Sequence, residues 1–225
     1  MTRVVLSWSG GKDCAYALSR LHASDEWTVV ELLTTFTAEY ERSSMHGVRK
    51  SLYEQQAEAL GLSLREVMLP REPTNETYDQ RMQDEFDRYG TDGVERVAFA
   101  DLFLEDIRTY REQQLDSTPL SGLWPVWGRE TEQLIWEILD AGFRATVVAV
   151  DGDALSQSFV GRELDPEFIA DLPETVDPCG ENGEFHTFVW DGPPFERKLD
   201  ISVGETITRE LGGTTIYYAD LTHAT

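Results

Sequence analysis

Short apolar runs separated by amphipathic stretches set the rhythm of this chain. Arg3-Val4-Val5-Leu6-Ser7 reads as a buried strand, and Ala15, Leu18 and Leu21 then recur at helical spacing. Thr28–Thr35 (TVVELLTT) predicts a second buried strand. Val48, Leu52, Gln55-Gln56 and Ala59-Leu60 predict a helix over His46–Leu60, capped by Ser43 or Ser44 and ended by Gly61. Leu64–Leu69 predicts a third strand, stopped by Pro70. A helix opening at Thr74-Asn75 carries Tyr78, Met82, Phe86 and Tyr89 and ends at Gly90. Arg96–Ala100 predicts a fourth strand and Leu104–Leu115 a further helix. Strands alternating with helices predict a parallel sheet covered on both faces. Ligands of such sheets sit at the carboxyl ends of the strands.

The pattern changes in the second half. Asp116–Trp127 (DSTPLSGLWPVW) reads as a connector, succeeded by a helix over Glu130–Ala141 and a strand over Ala145–Val150. Phe185–Trp190, Arg197–Val203, Thr206–Arg209 and Thr214–Ala219 alternate apolar and polar residues, as short antiparallel strands do. The expected class is α/β, with a parallel-sheet domain over residues 1–120 and a smaller α+β domain over 121–225.

Composition narrows the field. Hydrophobic residues make up 40% and aromatics 11%, enough for a substantial core and against disorder. No apolar run approaches the ~20 residues of a membrane span, and the immediate entry into a strand is unlike a signal peptide. Cys14 and Cys179 make neither a disulfide framework nor a Cys-x-x-Cys pair, so the expected location is the cytoplasm. The net charge is −23, Lys occurs only at 12, 50 and 198, and the acids are spread along the chain. That reads as a surface adapted to a high-salt cytoplasm. It also argues against a nucleic-acid partner, because the nearest thing to a basic patch, Arg108 and Arg111, is flanked by Glu105, Asp106 and Glu112.

Two segments carry chemistry. Ser9-Gly10-Gly11-Lys12-Asp13-Cys14 comes after the first strand and opens the first helix, a layout that offers backbone N–H groups and a helix N-terminus to a phosphate. A Walker loop would need a Gly at Leu6 and a Ser or Thr at Asp13. The segment instead resembles the PP-loop S-G-G-K-D-S of ATP pyrophosphatases, with Cys14 in place of the last Ser. Asp13 reads as a helix cap or a Mg²⁺ ligand, and Cys14 as a small buried residue rather than a reactive thiol. The second segment is Asp177-Pro178-Cys179-Gly180-Glu181-Asn182-Gly183-Glu184-Phe185-His186-Thr187. Asn182-Gly183 predicts a hairpin turn, and two acids with an imidazole beside it suit general acid–base or metal chemistry.

Together with His46-Gly47-Val48-Arg49, these segments resemble the diphthine–ammonia ligase family over essentially the whole chain. The resemblance implies an adenine-nucleotide α-hydrolase-like domain and a smaller C-terminal domain with a cleft between them. Its eukaryotic and archaeal members amidate diphthine on elongation factor 2 with ATP and ammonia; members assigned to that reaction tend to carry Glu where this chain has His186, and with Asn182 and His186 this chain resembles the bacterial-type members. The resemblance thus implies an adenylating ligase. Ser7, Ser9, Gly10, Gly11, Lys12, Asp13 and Cys14 would hold ATP with Mg²⁺, and adenine would rest near Thr35. Lys12, Glu184 and His186 are the expected catalytic residues. His46, Arg49, Glu181, Asn182, Gly183 and Thr187 are expected to contact a small-molecule or protein-side-chain carboxylate, which ammonia or another amine then captures. The rival expectations are a PP-loop enzyme with a different acceptor and a non-catalytic ATP-binding protein. A homodimer is compatible with the sequence, which defines no interface.

Overall fold

The computed structural model describes residues 1–224. The first sheet is built from β1 (Thr2–Ser7), β2 (Trp27–Thr37), β3 (Arg42–Ser43), β4 (Ser63–Leu69), β5 (Arg96–Ala98) and β6 (Ser121–Leu123). β1 pairs in parallel with β2 on one edge and β5 on the other; β4 extends the sheet beyond β2, and β6 beyond β5. The chain therefore runs outward from β1 in one direction and returns to its other side. β1 is the switch point, and the crevice at its carboxyl end is where such sheets take ligands.

One face of this sheet is covered by α3 (Asn75–Thr91) and α4 (Glu105–Leu115), which bury Val5, Leu33, Val97, Met82, Phe86 and Tyr89 between them. Thr74 caps α3 by accepting from Thr77 N–H at 3.2 Å. The other face carries α1 (Lys12–His22) and α2 (Lys50–Ala59), and against them packs the second half of the chain. That half holds α5 (Thr131–Asp140), β7 (Arg144–Asp151), α6 (Pro166–Asp171), β8 (Phe185–Asp191), β9 (Ile201–Leu211) and β10 (Thr214–His223). Its four strands form an antiparallel sheet in the order β8-β7-β10-β9. Val4, Leu6, Ala15 and Leu18 share one continuous core with Val147, Phe168, Phe185 and Phe188, so the two halves are joined by hydrophobic packing and not by a linker alone.

Several boundaries differ from the sequence reading. α2 starts at Lys50, because Ser44–His46 form a turn held by Ser43, whose carbonyl and hydroxyl accept from Gly47 and Val48 N–H, and Arg49 bridges back to Arg42. The segment Asp116–Trp127 is not all connector: β6 lies within it, and although it falls just past residue 120 it is the edge strand of the first sheet. The two predicted strands over Arg197–Arg209 merge into one long β9, paired along its length with β10. No hairpin forms at Asn182-Gly183. Gly183 alone has positive φ (+92°), and β8 pairs with the distant β7.

Candidate functional site

β1 ends in a loop that is held from three sides. Gly10 turns the chain at φ +75°, and a side chain there would meet Gln56 Oε1 and Tyr53 Cε1 at 2.9 Å. From α2, the Tyr53 hydroxyl donates to Ser9 O at 2.7 Å and Gln56 Nε2 to Gly10 O at 3.1 Å. From β8, Val189 N–H donates to Gly10 O at 2.9 Å, and Thr187 Oγ1 accepts from Lys12 N–H at 3.1 Å. Ser9 Oγ accepts from Gly11 N–H at 3.3 Å. The first intrahelical bond of α1 runs from Ala15 N–H to Gly11 O, so the amides of Asp13 and Cys14 precede it and face outward from the helix start. No side chain caps this end from within the helix: Gly11 occupies the N-cap, which corrects the reading of Asp13 as a cap.

Lys12 is 2% exposed. Its Nζ donates to Asp13 Oδ2 at 2.9 Å and to the Cys179 carbonyl, and lies 5.4 Å from the Phe185 ring centroid. Burial works against the ammonium, but Asp13 and further negative groups nearby outweigh it and hold the proton above the usual lysine value. The cation is therefore fixed, and one of its three N–H bonds remains for a ligand. Asp13 Oδ1 is buried with no hydrogen-bond partner among the described residues. An orphaned carboxylate oxygen beside an anion seat is a donor suited to a hard divalent cation. No cluster of three or more metal-binding side chains exists among the described residues, so a divalent cation here would have Asp13 as its protein ligand. Cys14 Sγ lies 3.4 Å from Ser7 O and 3.2 Å from Ser9 Oγ; burial pushes its thiol up to about 11 and leaves it unreactive at neutral pH.

The loop opens into a cleft of about 320 Å³, at the lower end of the ~300–1,000 Å³ typical of ligand sites. Ser7, Ser9, Gly11, Lys12, Asp13, Cys14, His46, Glu181, His186 and Thr187 all line it. The rings of His46 and His186 lie 4.6 Å apart between centroids, so a residue from the turn before α2 meets one from β8. Burial, reinforced by His186 and Lys12, holds His46 well below the usual imidazole range, and burial and Lys12 push His186 down to about 4. Both are neutral near pH 7. Glu181 Oε1 accepts from Leu102 N–H at 2.6 Å, and burial is the main cause that raises its carboxyl to about 7. It is the acid of the cleft poised to exchange a proton at neutral pH.

Residues 1–117 match the diphthamide synthase N-terminal domain, and residues 130–219 its C-terminal domain. The chain belongs to the diphthamide synthase family. The rat diphthine–ammonia ligase is 26% identical over 234 residues, covering 91% of this chain and 85% of that protein. The cattle diphthine–ammonia ligase is 30% identical over 101 residues, 43% of this chain and 37% of its own length. The fission yeast diphthine–ammonia ligase is 26% identical over 109 residues, 47% of this chain and 18% of its own length. In the last two comparisons the chain spans well under half of its relative.

In this diphthamide synthase family member, Gly10 turns the loop from beneath the cleft, and five other expected site residues lie away from the lining. Thr35 sits within β2, paired with Val67 of β4, and the neighbouring Phe36 is fully buried against Tyr53. Arg49 is engaged by Asp220 of β10 in a two-pronged pair, Nη2–Oδ2 2.7 Å and Nε–Oδ1 3.2 Å. Glu184 is buried and accepts from Asp177 N–H, Asn182 N–H and Asn182 Nδ2 at 3.0–3.1 Å. It is the clasp of the 177–184 loop, with Asn182 and Gly183 closing the turn around it. Conversely, Phe99, Asp101, Leu104, Ile107 and Arg111 line the cleft and were missed. Arg111 pairs with Asp101 at 2.7 Å and lies over the Phe99 ring at 4.6 Å. The signal was present: these residues come after β5, the other neighbour of β1, where the strand-end rule applies as well as after β2.

Proposed function

We propose that the chain is an ATP-dependent amide-forming ligase that cleaves ATP to AMP and pyrophosphate and joins an amine to a carboxylate, diphthine–ammonia ligase-like in its chemistry. The observation that carries this reading is the convergence, in one cleft, of an anion-seating loop that is not a Walker loop, a fixed buried cation and a carboxyl that titrates near neutrality. The Ser9–Cys14 segment with Thr187 seats the phosphates, and Lys12 with the free α1 amides stabilises negative charge on the departing pyrophosphate. Mg²⁺, held by Asp13, would supply further neutralisation of phosphate charge. Phe99, Leu104 and Ile107 offer the apolar wall for a planar base, in place of the strand β2 position expected from sequence. Glu181 takes the proton from the attacking amine. His46 and His186, both neutral, orient the acceptor without adding charge.

Diphthine is the acceptor named for the relatives, and it is the first candidate here. Neutral His186 in the acceptor half of the cleft leaves room for another carboxylate. The acidic surface is read as an adaptation to concentrated salt.

Turnover with ATP, ammonium and a diphthine-bearing acceptor should release AMP and pyrophosphate in equal amounts. Lys12→Ala should slow it by roughly 10²-fold or more, the usual loss for one preorganised donor to a developing anion. ADP and inorganic phosphate as primary products would overturn the reading.

A further inference from the structure

A second cavity, of about 740 Å³, lies between the turn after β2, the segment after β4 and the β9–β10 ribbon. Arg42, Arg71 and Arg209 converge on it from three separate parts of a chain whose net charge is −23. The guanidinium groups of Arg71 and Arg209 both rest on the ring of Tyr40, 5.7 and 5.2 Å from its centroid. A cation–π contact draws a guanidinium to the ring and uses none of its N–H groups, which stay available to a planar or tetrahedral oxyanion. Tyr40 is itself presented by a tight turn in which Glu41 takes positive φ (+49°), a conformation uncommon outside glycine.

The acids around the cavity do not cancel these charges. Asp220 binds Arg42 at 2.7 Å but binds Arg49 equally closely, so one carboxylate serves two guanidinium groups. Glu72 stands 3.9 Å from Arg71 with both side chains largely in water, where the attraction is strongly screened. Glu210 is held by the Thr215 hydroxyl at 2.8 Å, and Arg209 pairs with no carboxylate among the described residues. Long-range repulsion from the acidic surface is damped within about 8–10 Å at moderate salt. The local arginines therefore decide what the cavity accepts.

The cavity and the cleft share a wall. Ser43, Ser44 and Gly47 line the cavity, whereas Met45 and His46, between them, line the cleft. Gly47 takes positive φ (+67°) under the Tyr218 ring, where an added Cβ would approach to 2.7 Å. Whatever fills the space beside Tyr218 thus touches the segment that carries His46.

We propose that this cavity binds a small polyanion, a phosphate ester or a di- or tricarboxylate, through Arg42, Arg71 and Arg209, and that its occupancy is transmitted to His46 through Ser43–Gly47. Its volume fits the ~300–1,000 Å³ of small-molecule sites. Binding is independent of the ligase reading, which concerns the neighbouring cleft.

Citrate and inorganic tripolyphosphate are the probes, titrated calorimetrically into the full chain at about 0.1 M salt. Three proteins are compared: the wild type, Lys12→Ala, and the double variant Arg71→Glu/Arg209→Glu, whose sites are on the surface and leave the core untouched. At least one probe should bind the wild type and Lys12→Ala alike. In the double variant, binding should weaken by about ten- to a hundredfold for each guanidinium bond lost. The probe that binds tells a carboxylate from a phosphate ligand, and the His46 ring resonances should shift on its addition to Lys12→Ala. Absence of binding by both probes, loss of binding in Lys12→Ala, or undiminished binding in the folded double variant would overturn the site. Unshifted His46 resonances would overturn the coupling. A failure to turn over ATP would leave all of these outcomes readable.

Discussion

Two glutamates three residues apart in sequence have opposite duties, and their hydrogen bonds separate them. Glu181 receives one N–H and faces the cleft; Glu184 receives three and faces its own loop. Glu181→Gln should reduce turnover by about 10²–10⁴-fold, the range for a lost general base. It should also abolish a rise in rate with an apparent midpoint near pH 7, the value about which Glu181 titrates. Stability supplies a second readout. The folded carboxyl is raised from 4.5 to about 7, so its contribution to stability is present at low pH and is lost as pH climbs through that window. His186 runs the other way: lowered from 6.5 to about 4, it gains stability as pH rises between those values. The diagnostic quantity is therefore the wild-type curve minus that of Glu181→Gln, which should become increasingly unfavourable to the wild type from about pH 4.5 to 7. Glu184→Gln, by contrast, sets an amide against N–H donors and should cost about 1–3 kcal/mol. In a protein of this size that lowers Tm by about 2–4 °C per kcal/mol. An unchanged Tm in scanning calorimetry would return Glu184 to the free acids of the cleft. The sequence could not separate the pair, because both lie on one turn-rich segment and only the backbone path decides which is enclosed.

At the scale of elements, the strand–loop–helix unit of residues 2–22 was legible because all its determinants are local: apolar run, Gly-Gly turn, helical spacing. The hairpin at Asn182-Gly183 was misread for the complementary reason. A hairpin needs a strand on each side, and the residues before Asp177 go to α6 and irregular chain while β8 finds β7 across the sheet. β6 was hidden because three residues at a sheet edge carry no periodicity. The long-range contact that matters most is equally invisible in sequence. Thr187 of β8 accepts from Lys12 N–H across 175 residues and caps α1 from outside. Thr187→Val keeps the shape and removes the acceptor. It should cost about 0.5–2 kcal/mol, the usual loss for a helix cap, and weaken ATP binding more than the fold. Calorimetric ATP affinity together with Tm checks this, and undiminished affinity would show that the loop seats phosphate without β8.

For the whole molecule, the α/β class and the parallel sheet were readable from alternation alone. The single core shared by both halves was not, since pattern reports which face is apolar and not what covers it. Charge is the property that sequence does give in full. With 42 acids against 19 Lys and Arg, 23 negative charges remain uncompensated even if every cation is fully neutralised. Exposed pairs such as Lys50–Glu54 and Arg108–Glu112 oppose the trend, as salt weakens them, but each is worth only about 0–1 kcal/mol. Repulsion among the uncompensated charges acts over the Debye length, about 30 Å at 0.01 M salt and about 3 Å at 1 M. At low salt each surface carboxylate feels most others; at high salt it feels its neighbours only. Stability should therefore rise with salt, steeply at first and then gently once the screening length falls below the spacing between acids. The test is Tm in KCl from about 0.01 to 1 M, with the same range in a non-stabilising sodium salt to separate screening from effects specific to one ion. A parallel rise in both salts is the expected result. A flat or falling Tm would mean that the ion pairs outweigh the surplus, and that the acidic surface serves another end than life in concentrated salt.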